Sequence, residues 1–229
     1  MALTIIDRFE QKYFITDSDY KKLMRKINDK LEKDKYFKET IYNVYFDNDS
    51  NELINRSMDK PMYKEKVRLR SYEIPKNDTV VFLEIKKKFD DYGNKRRIEI
   101  THKEALDYIE KRKIPKCNKQ IMNEIDYCFN KYNLKPIVSI NYDRLAYYFK
   151  EDPSYRITFD NNVRYSFNDV SLKDLSDSNL LFENGYIMEV KTLNGLPLWF
   201  NKILDELRIY PTSYSKIGKI YTSIGGVYV

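Results

Sequence analysis

In the stretch YKEKVRLRSYEIP, residues 63–75, Lys64, Lys66, Arg68 and Arg70 fall on every second position, with Val67 and Leu69 between them. Residues two apart on a strand point the same way, so the four cations share one face and the apolar residues the other. Such charges repel one another unless an anion lies against them, and ammonium and guanidinium groups pair strongly with phosphate oxygens. The spacing recurs. Arg8, Glu10 and Lys12 alternate in RFEQKYF, Glu84, Lys86 and Lys88 in VFLEIKKK, and Lys95, Arg97 and Glu99 in NKRRIEI. Further along, Tyr142 alternates with Arg144, Arg156 with Thr158 and Asp160, and Glu189 with Lys191. Carboxylates on such a face oppose an anion unless a cation stands between them, and Mg²⁺ or Mn²⁺ takes one or two carboxylates together with phosphate oxygens and waters. Glu10, Glu84, Glu99, Asp160 and Glu189 are the candidate metal ligands.

These side chains need strands to align them. Period-two patterns predict strands over 5–15, 41–47, 62–73, 79–89, 95–101, 137–149, 155–160, 163–166, 185–192 and 217–224, with turn signals such as DDYGN and ENG between them. Helical spacing predicts a surface helix over 17–34, where Leu23, Ile27 and Leu31 recur every four residues behind Asp17 or Ser18. A second helix follows Thr101, a third spans 118–132, and a fourth opens with Pro197 and carries Trp199, Ile203 and Leu207 as a core stripe. No repeat, low-complexity tract or linker divides the chain, so residues 1–229 are expected to form one α+β domain on a large antiparallel sheet. If that many strands close into a barrel with helices outside, the charged face becomes the lining of a polar tunnel. Cations crowded there cost several kcal/mol per ion without a counter-charge, which an entering oligophosphate supplies.

Composition narrows the class. The 229 residues with 42% hydrophobic content suffice for a sizeable core, and 21 tyrosines and 12 phenylalanines favour strands. Lys and Arg number 41 against 35 Asp and Glu, so the net +6 is small and placement decides its meaning. Cys117 and Cys128, eleven residues apart, form no metal or redox spacing and read as free thiols of a reducing compartment. No stretch approaches a membrane span and no signal-length apolar run opens the chain, which points to a cytoplasmic protein, with peripheral membrane attachment left open. Nucleic-acid binding leaves the inward carboxylates unexplained, and no RNP1-like motif is present.

Taken in order, RFEQKYFI, YNVYFD, KVRLRSY, FLEIKKK, NYDRLAYY, YRITFDNNVRY, YIMEVKT and YPTSYSKIGKIY resemble the triphosphate tunnel metalloenzymes. The similarity is greatest to the VTC domain, the polyphosphate polymerase domain of the vacuolar transporter chaperone complex. It covers nearly the whole chain and implies an eight-stranded antiparallel β-barrel tunnel, with helices packed outside, that binds triphosphate or polyphosphate. By motif it implies that Lys12, Arg68, Arg70, Lys86, Arg144, Arg156, Lys191 and Lys216 hold phosphates, that Tyr142 hydrogen-bonds one, and that Glu189 binds the metal. Lys66 and Arg97 join the phosphate ligands by alternation, and Glu10 joins Glu189. Ser213 stands where the eukaryotic polymerases resemble a Lys-x-x-Lys pattern ending at Lys216, and Lys95 or Arg97 would compensate. The chain carries none of the flanking SPX or membrane segments of that complex and looks like a free-standing bacterial-type version, for which family context implies a separate membrane protein as partner.

The reaction implied is transfer of the ATP γ-phosphoryl group to a polyphosphate chain, with Arg68, Arg70, Arg144, Arg156 and Glu189 catalytic through positioning and charge neutralisation. A hydrolase of triphosphate or polyphosphate, or a binding module without catalysis, would use the same residue types. His102, at an expected helix start, reads as a surface residue.

Overall fold

The computed structural model describes residues 9–59, 61–90, 92–193 and 195–225; Arg8 lies outside them. In chain order they form β1 (Phe9–Ile15), α1 (Asp17–Ile27), β2 (Leu31–Asp47), α2 (Glu52–Met58), β3 (Tyr63–Ser71), β4 (Val80–Phe89), β5 (Tyr92–Thr101), α3 (His102–Lys111) and α4 (Lys119–Tyr132). There follow β6 (Lys135–Phe149), β7 (Arg156–Ser166), β8 (Asn179–Leu180), β9 (Tyr186–Thr192), α5 (Leu198–Glu206) and α6 (Lys216–Ser223). The class is α+β, as the patterning predicts. Nine strands form one sheet in the order β1-β9-β7-β6-β2-β3-β4-β5, with β8 beside β7. The pairing is a path with β1 and β5 at its ends, and no ladder joins those two strands among the described residues.

Contacts group the chain into two compact units. Of the described residues, those within 9–39, 142–163 and 182–216 form unit 1 and those within 40–141, 164–181 and 217–225 form unit 2. In unit 2 the inward residues Val67 and Leu69 of β3, Val81, Leu83 and Ile85 of β4, and Ile98 and Ile100 of β5 pack against Tyr108 of α3 and Ile125 and Phe129 of α4. In unit 1 Tyr13, Ile15, Ile157, Phe159, Met188 and Val190 pack against Leu23 and Ile27 of α1 and Phe200 and Leu204 of α5. Each unit therefore covers the apolar face of its strands with helices, which leaves the alternate positions for charge.

Local chemistry sets the boundaries. Thr16 caps α1 by accepting from the Asp19 amide, and Thr101 and Glu104 form a reciprocal capping box on α3. The helix expected over 17–34 stops at Ile27: a 3₁₀ turn, Asn28–Lys30, follows and β2 starts at Leu31. Leu31 is buried as the first residue of a strand as readily as it would be one turn beyond Ile27, so the spacing was ambiguous. The strand expected over 217–224 is instead α6, with Ile217, Ile220 and Tyr221 buried at helical spacing. The strands expected at 155–160 and 163–166 are one strand, β7, which passes through Asn162 in the left-handed region at φ 47°. The short α2 has no periodic signal. It forms because Asp47, at the end of β2, accepts the Leu53 and Ile54 amides, each at 2.9 Å. No described helix is long and apolar enough to cross a membrane.

Candidate functional site

In unit 2 antiparallel register places side chains in rows across the strands. Tyr45, Arg68, Glu84 and Arg97 form one row, Asn43, Arg70, Phe82 and Glu99 the next, and Lys66, Lys86 and Lys95 a third. Arg68 donates from Nε to Glu84 Oε2 at 2.7 Å and from Nη1 to the Tyr45 hydroxyl at 3.1 Å. Lys95 Nζ meets Glu84 Oε1 at 2.6 Å, so one carboxylate holds two cations. Arg70 donates from Nε to Asn43 Oδ1 at 3.0 Å, and Asn43 in turn donates to the Ile140 carbonyl. The Arg97 guanidinium stacks on Phe82, 4.5 Å from the ring centroid.

The charges show how tightly this cluster is coupled. Burial alone would raise the Glu84 carboxyl, yet Arg68, Arg70 and Lys95 outweigh it and hold the pKa at about 2. Burial and the Arg68 charge bring Lys95 down to about 8 against the opposing pull of Glu84. Tyr45 behaves similarly to Glu84. Burial opposes its ionisation, but Arg68, Arg70 and Lys66 bring the phenol down to about 8. Anionic character is thus favoured on this face even in a tyrosine.

Unit 1 holds the second cluster. Glu10, Lys191 and Arg156 make one cross-strand row of β1, β9 and β7, and Lys12, Glu189 and Thr158 the next. Lys191 Nζ lies 2.6 Å from Glu189 Oε1 and 3.9 Å from Glu10 Oε2, while Lys12 Nζ lies 3.0 Å from Glu10 Oε1. Asp160, fully buried, accepts both Arg144 Nε at 2.6 Å and Arg144 Nη2 at 2.8 Å, and also Lys216 Nζ at 2.5 Å. The Tyr142 ring lies under the same two cations, 4.3 Å from Lys216 Nζ and 5.3 Å from the Arg144 guanidinium. Arg156 Nη2 is held by Asp34 at 2.7 Å. Burial would raise the Glu189 carboxyl, but Lys191, Lys12 and Arg144 push it well below the usual range; Arg144 and Lys216 likewise outweigh burial at Asp160 and lower its carboxyl.

The residues singled out in the sequence therefore fall into two groups. Lys66, Arg68, Arg70, Lys86 and Arg97 share a face in unit 2, and Lys12, Tyr142, Arg144, Arg156, Lys191, Lys216, Glu10 and Glu189 gather in unit 1. Glu84 and Asp160, candidate metal ligands in the sequence, each pair with two cations, Glu84 with Arg68 and Lys95 and Asp160 with Arg144 and Lys216. Ser213 is exposed. Three contributors were missed: Asp34, Asn43 and Tyr45. Asn43 and Tyr45 alternate with Val44 and Phe46 and were legible by the rule that found Arg68, whereas Asp34 was hidden by the helix drawn through it.

No group of three or more His, Cys, Asp or Glu able to hold a metal ion occurs among the described residues. Glu10 and Glu189 nonetheless both turn a carboxylate oxygen toward Lys191 Nζ, one ammonium between two hard oxygen donors. That donor set suits a divalent cation completed by phosphate oxygens and water, and not one caged by protein alone.

The family profile of the VTC domain matches residues 7–223. The chain belongs to the VTC domain family. Solved structures agree on the fold of this VTC domain. A candidate adenylate cyclase from Bacillus halodurans is similar at 15% identity with a TM-score of 0.56, over 90% of this chain and 92% of that one. A candidate adenylyl cyclase from Hippeastrum, described as having a dominant triphosphatase activity, is similar at 13% identity with a TM-score of 0.55, over 93% and 95%. No curated protein matches the chain.

Proposed function

We propose that this VTC domain is a polyphosphate polymerase that transfers the γ-phosphoryl group of ATP to the end of a polyphosphate chain. The observation that carries the reading is the charge balance of the face made by β3, β4 and β5. Lys64, Lys66, Arg68, Arg70, Lys86, Lys88, Lys95 and Arg97 stand there against Glu84 and Glu99. That surplus calls for a polyanion, and the membership of the family names condensed phosphate. The closed eight-stranded tunnel, the action of residues 1–229 as one domain, a cytoplasmic location and a separate membrane-protein partner belong to the same proposal.

In this mechanism Lys12, Lys66, Lys86, Arg97, Lys191 and Lys216 hold phosphates along the path, with Tyr142 as a hydrogen-bond donor. Arg68 and Arg70 on the charged face of unit 2, and Arg144 and Arg156 on that of unit 1, are the catalytic cations, each acting by neutralising phosphoryl charge. A terminal phosphate oxygen, already anionic, forms the new P–O bond as the bond from Pγ to the bridging oxygen breaks and ADP departs with the electron pair. No protein base is required. A divalent cation, Mn²⁺ or Mg²⁺, held by Glu189 with Glu10 would supply further charge neutralisation at the phosphate oxygens. The Hippeastrum relative in fold favours a second reading, hydrolysis of triphosphate, in which water replaces the terminal phosphate oxygen.

Incubation with ATP and Mn²⁺ separates the two: long phosphate chains and ADP support the polymerase, orthophosphate without chains the hydrolase. Glu189→Gln is expected to abolish metal-dependent turnover while tripolyphosphate binding persists. Full turnover in that variant would overturn the assignment of Glu189.

A further inference from the structure

Two buried polar atoms beside Glu189 have no hydrogen-bond partner: Thr158 Oγ1 and Arg156 Nε. Thr158 is only 5% exposed, and it stands directly across from Glu189, which in turn stands across from Lys12. Arg156 precedes it by two residues on the same face of β7 and pairs with Lys191 in the next row. Native proteins rarely leave a buried hydroxyl and a buried guanidinium donor both unpaired two residues apart on one strand face. Packing does not account for the hydroxyl, since valine fills the same volume without the polar atom.

Chemistry narrows what would satisfy them. A guanidinium Nε–H only donates, and the threonine O–H donates as readily as it accepts, so a group accepting from both is an anionic oxygen. A metal-bound water has to donate and would satisfy the hydroxyl alone. The far end of the guanidinium is already fixed on Asp34 at 2.7 Å, which restrains the plane in which Nε points. We propose that Thr158 Oγ1 and Arg156 Nε form a two-donor subsite for one non-bridging oxygen of a condensed phosphate, next to the Glu189 carboxylate. This rests on the phosphate-binding reading above and adds to it Thr158, a ligand that neither charge nor motif discloses.

The test measures tripolyphosphate affinity by calorimetry, once in EDTA and once with Mg²⁺, for the wild type, Thr158→Val, Thr158→Ala and Thr158→Ser. Thermal melting without phosphate checks that each variant folds. Thr158→Val and Thr158→Ala are expected to lose about tenfold in affinity in both conditions, the loss of one hydrogen bond to a charged group. Thr158→Ser is expected to stay within about twofold. Unliganded Thr158→Val is expected to melt no lower than the wild type, since it removes an unpaired buried hydroxyl and keeps the shape. Unchanged affinity in Thr158→Val or Thr158→Ala would overturn the subsite alone. A loss confined to the Mg²⁺ arm would overturn it in favour of a metal-bound water. Absence of binding by the wild type itself would overturn the phosphate reading and the subsite together.

Discussion

Glu84 is 2% exposed and touches Arg68 on one oxygen and Lys95 on the other. A buried carboxylate of this kind is weak support for stability in itself, because an apolar residue of the same volume often does as well. What it does is fix the Arg68 guanidinium, in company with the Tyr45 hydroxyl, on the cationic face of β3, β4 and β5. Removing only the charge leaves two cations without their partner, so Glu84→Gln is expected to cost about 2–3 kcal/mol in urea unfolding near neutral pH. The pH dependence has a definite sign. The folded carboxyl lies at about 2 against an ordinary value of 4.5, so its contribution is complete above pH 4.5 and disappears as pH falls toward about 2. The stability gap between wild type and Glu84→Gln should accordingly hold constant from neutral pH to about pH 5 and close below that. A gap that stayed open in strong acid would refute the ion pair as its source.

At the level of elements, the placement of Glu189 depends on how β9 begins. Gly185 precedes the strand at φ 131°, and a Cβ there would lie 2.8 Å from the Ile15 carbonyl oxygen and 3.1 Å from the Phe14 ring. Both obstacles belong to β1, the strand whose Lys12 pairs with Glu189. Gly185→Ala is therefore expected to destabilise the protein by about 2 kcal/mol, through backbone strain and a forced shift of β1 against β9. Gly93 in β5 meets nothing within 4 Å, and Gly93→Ala is expected to stay within about 0.5 kcal/mol. Equal urea midpoints for the two variants would contradict this account. The ENG signal placed a turn here from the sequence, but the approach of Ile15 comes from a residue 170 positions away, which no local pattern reports.

For the whole molecule, the common design of the two units is an apolar sheet face under helices and a charged face with surplus cations. The net charge of +6 understates this, because most carboxylates lie elsewhere. Tripolyphosphate should therefore stabilise the folded chain: at a hundredfold excess over its dissociation constant the gain is about 2.7 kcal/mol. The gain should shrink as salt rises from about 0.05 to 0.5 M, since the exposed part of the interaction is screened. A melting temperature indifferent to tripolyphosphate at low salt would contradict a polyanion site in this molecule.

The alternation of charge and apolar residues was enough to specify which side chains share a strand face, and it singled out Arg68, Arg144, Arg156 and Glu189 without any neighbour in view. It sufficed because the period of a strand is a local property of the backbone. Counter-ion identity was not local. Glu84 turned out to hold Arg68 and Lys95, Asp160 to hold Arg144 and Lys216, and Asp34 to hold Arg156, because these pairs form between elements whose register and packing only the folded chain sets. The same reason explains the segments read wrongly, 31–34 and 217–224: their apolar spacing fits either period, and tertiary packing chose between them.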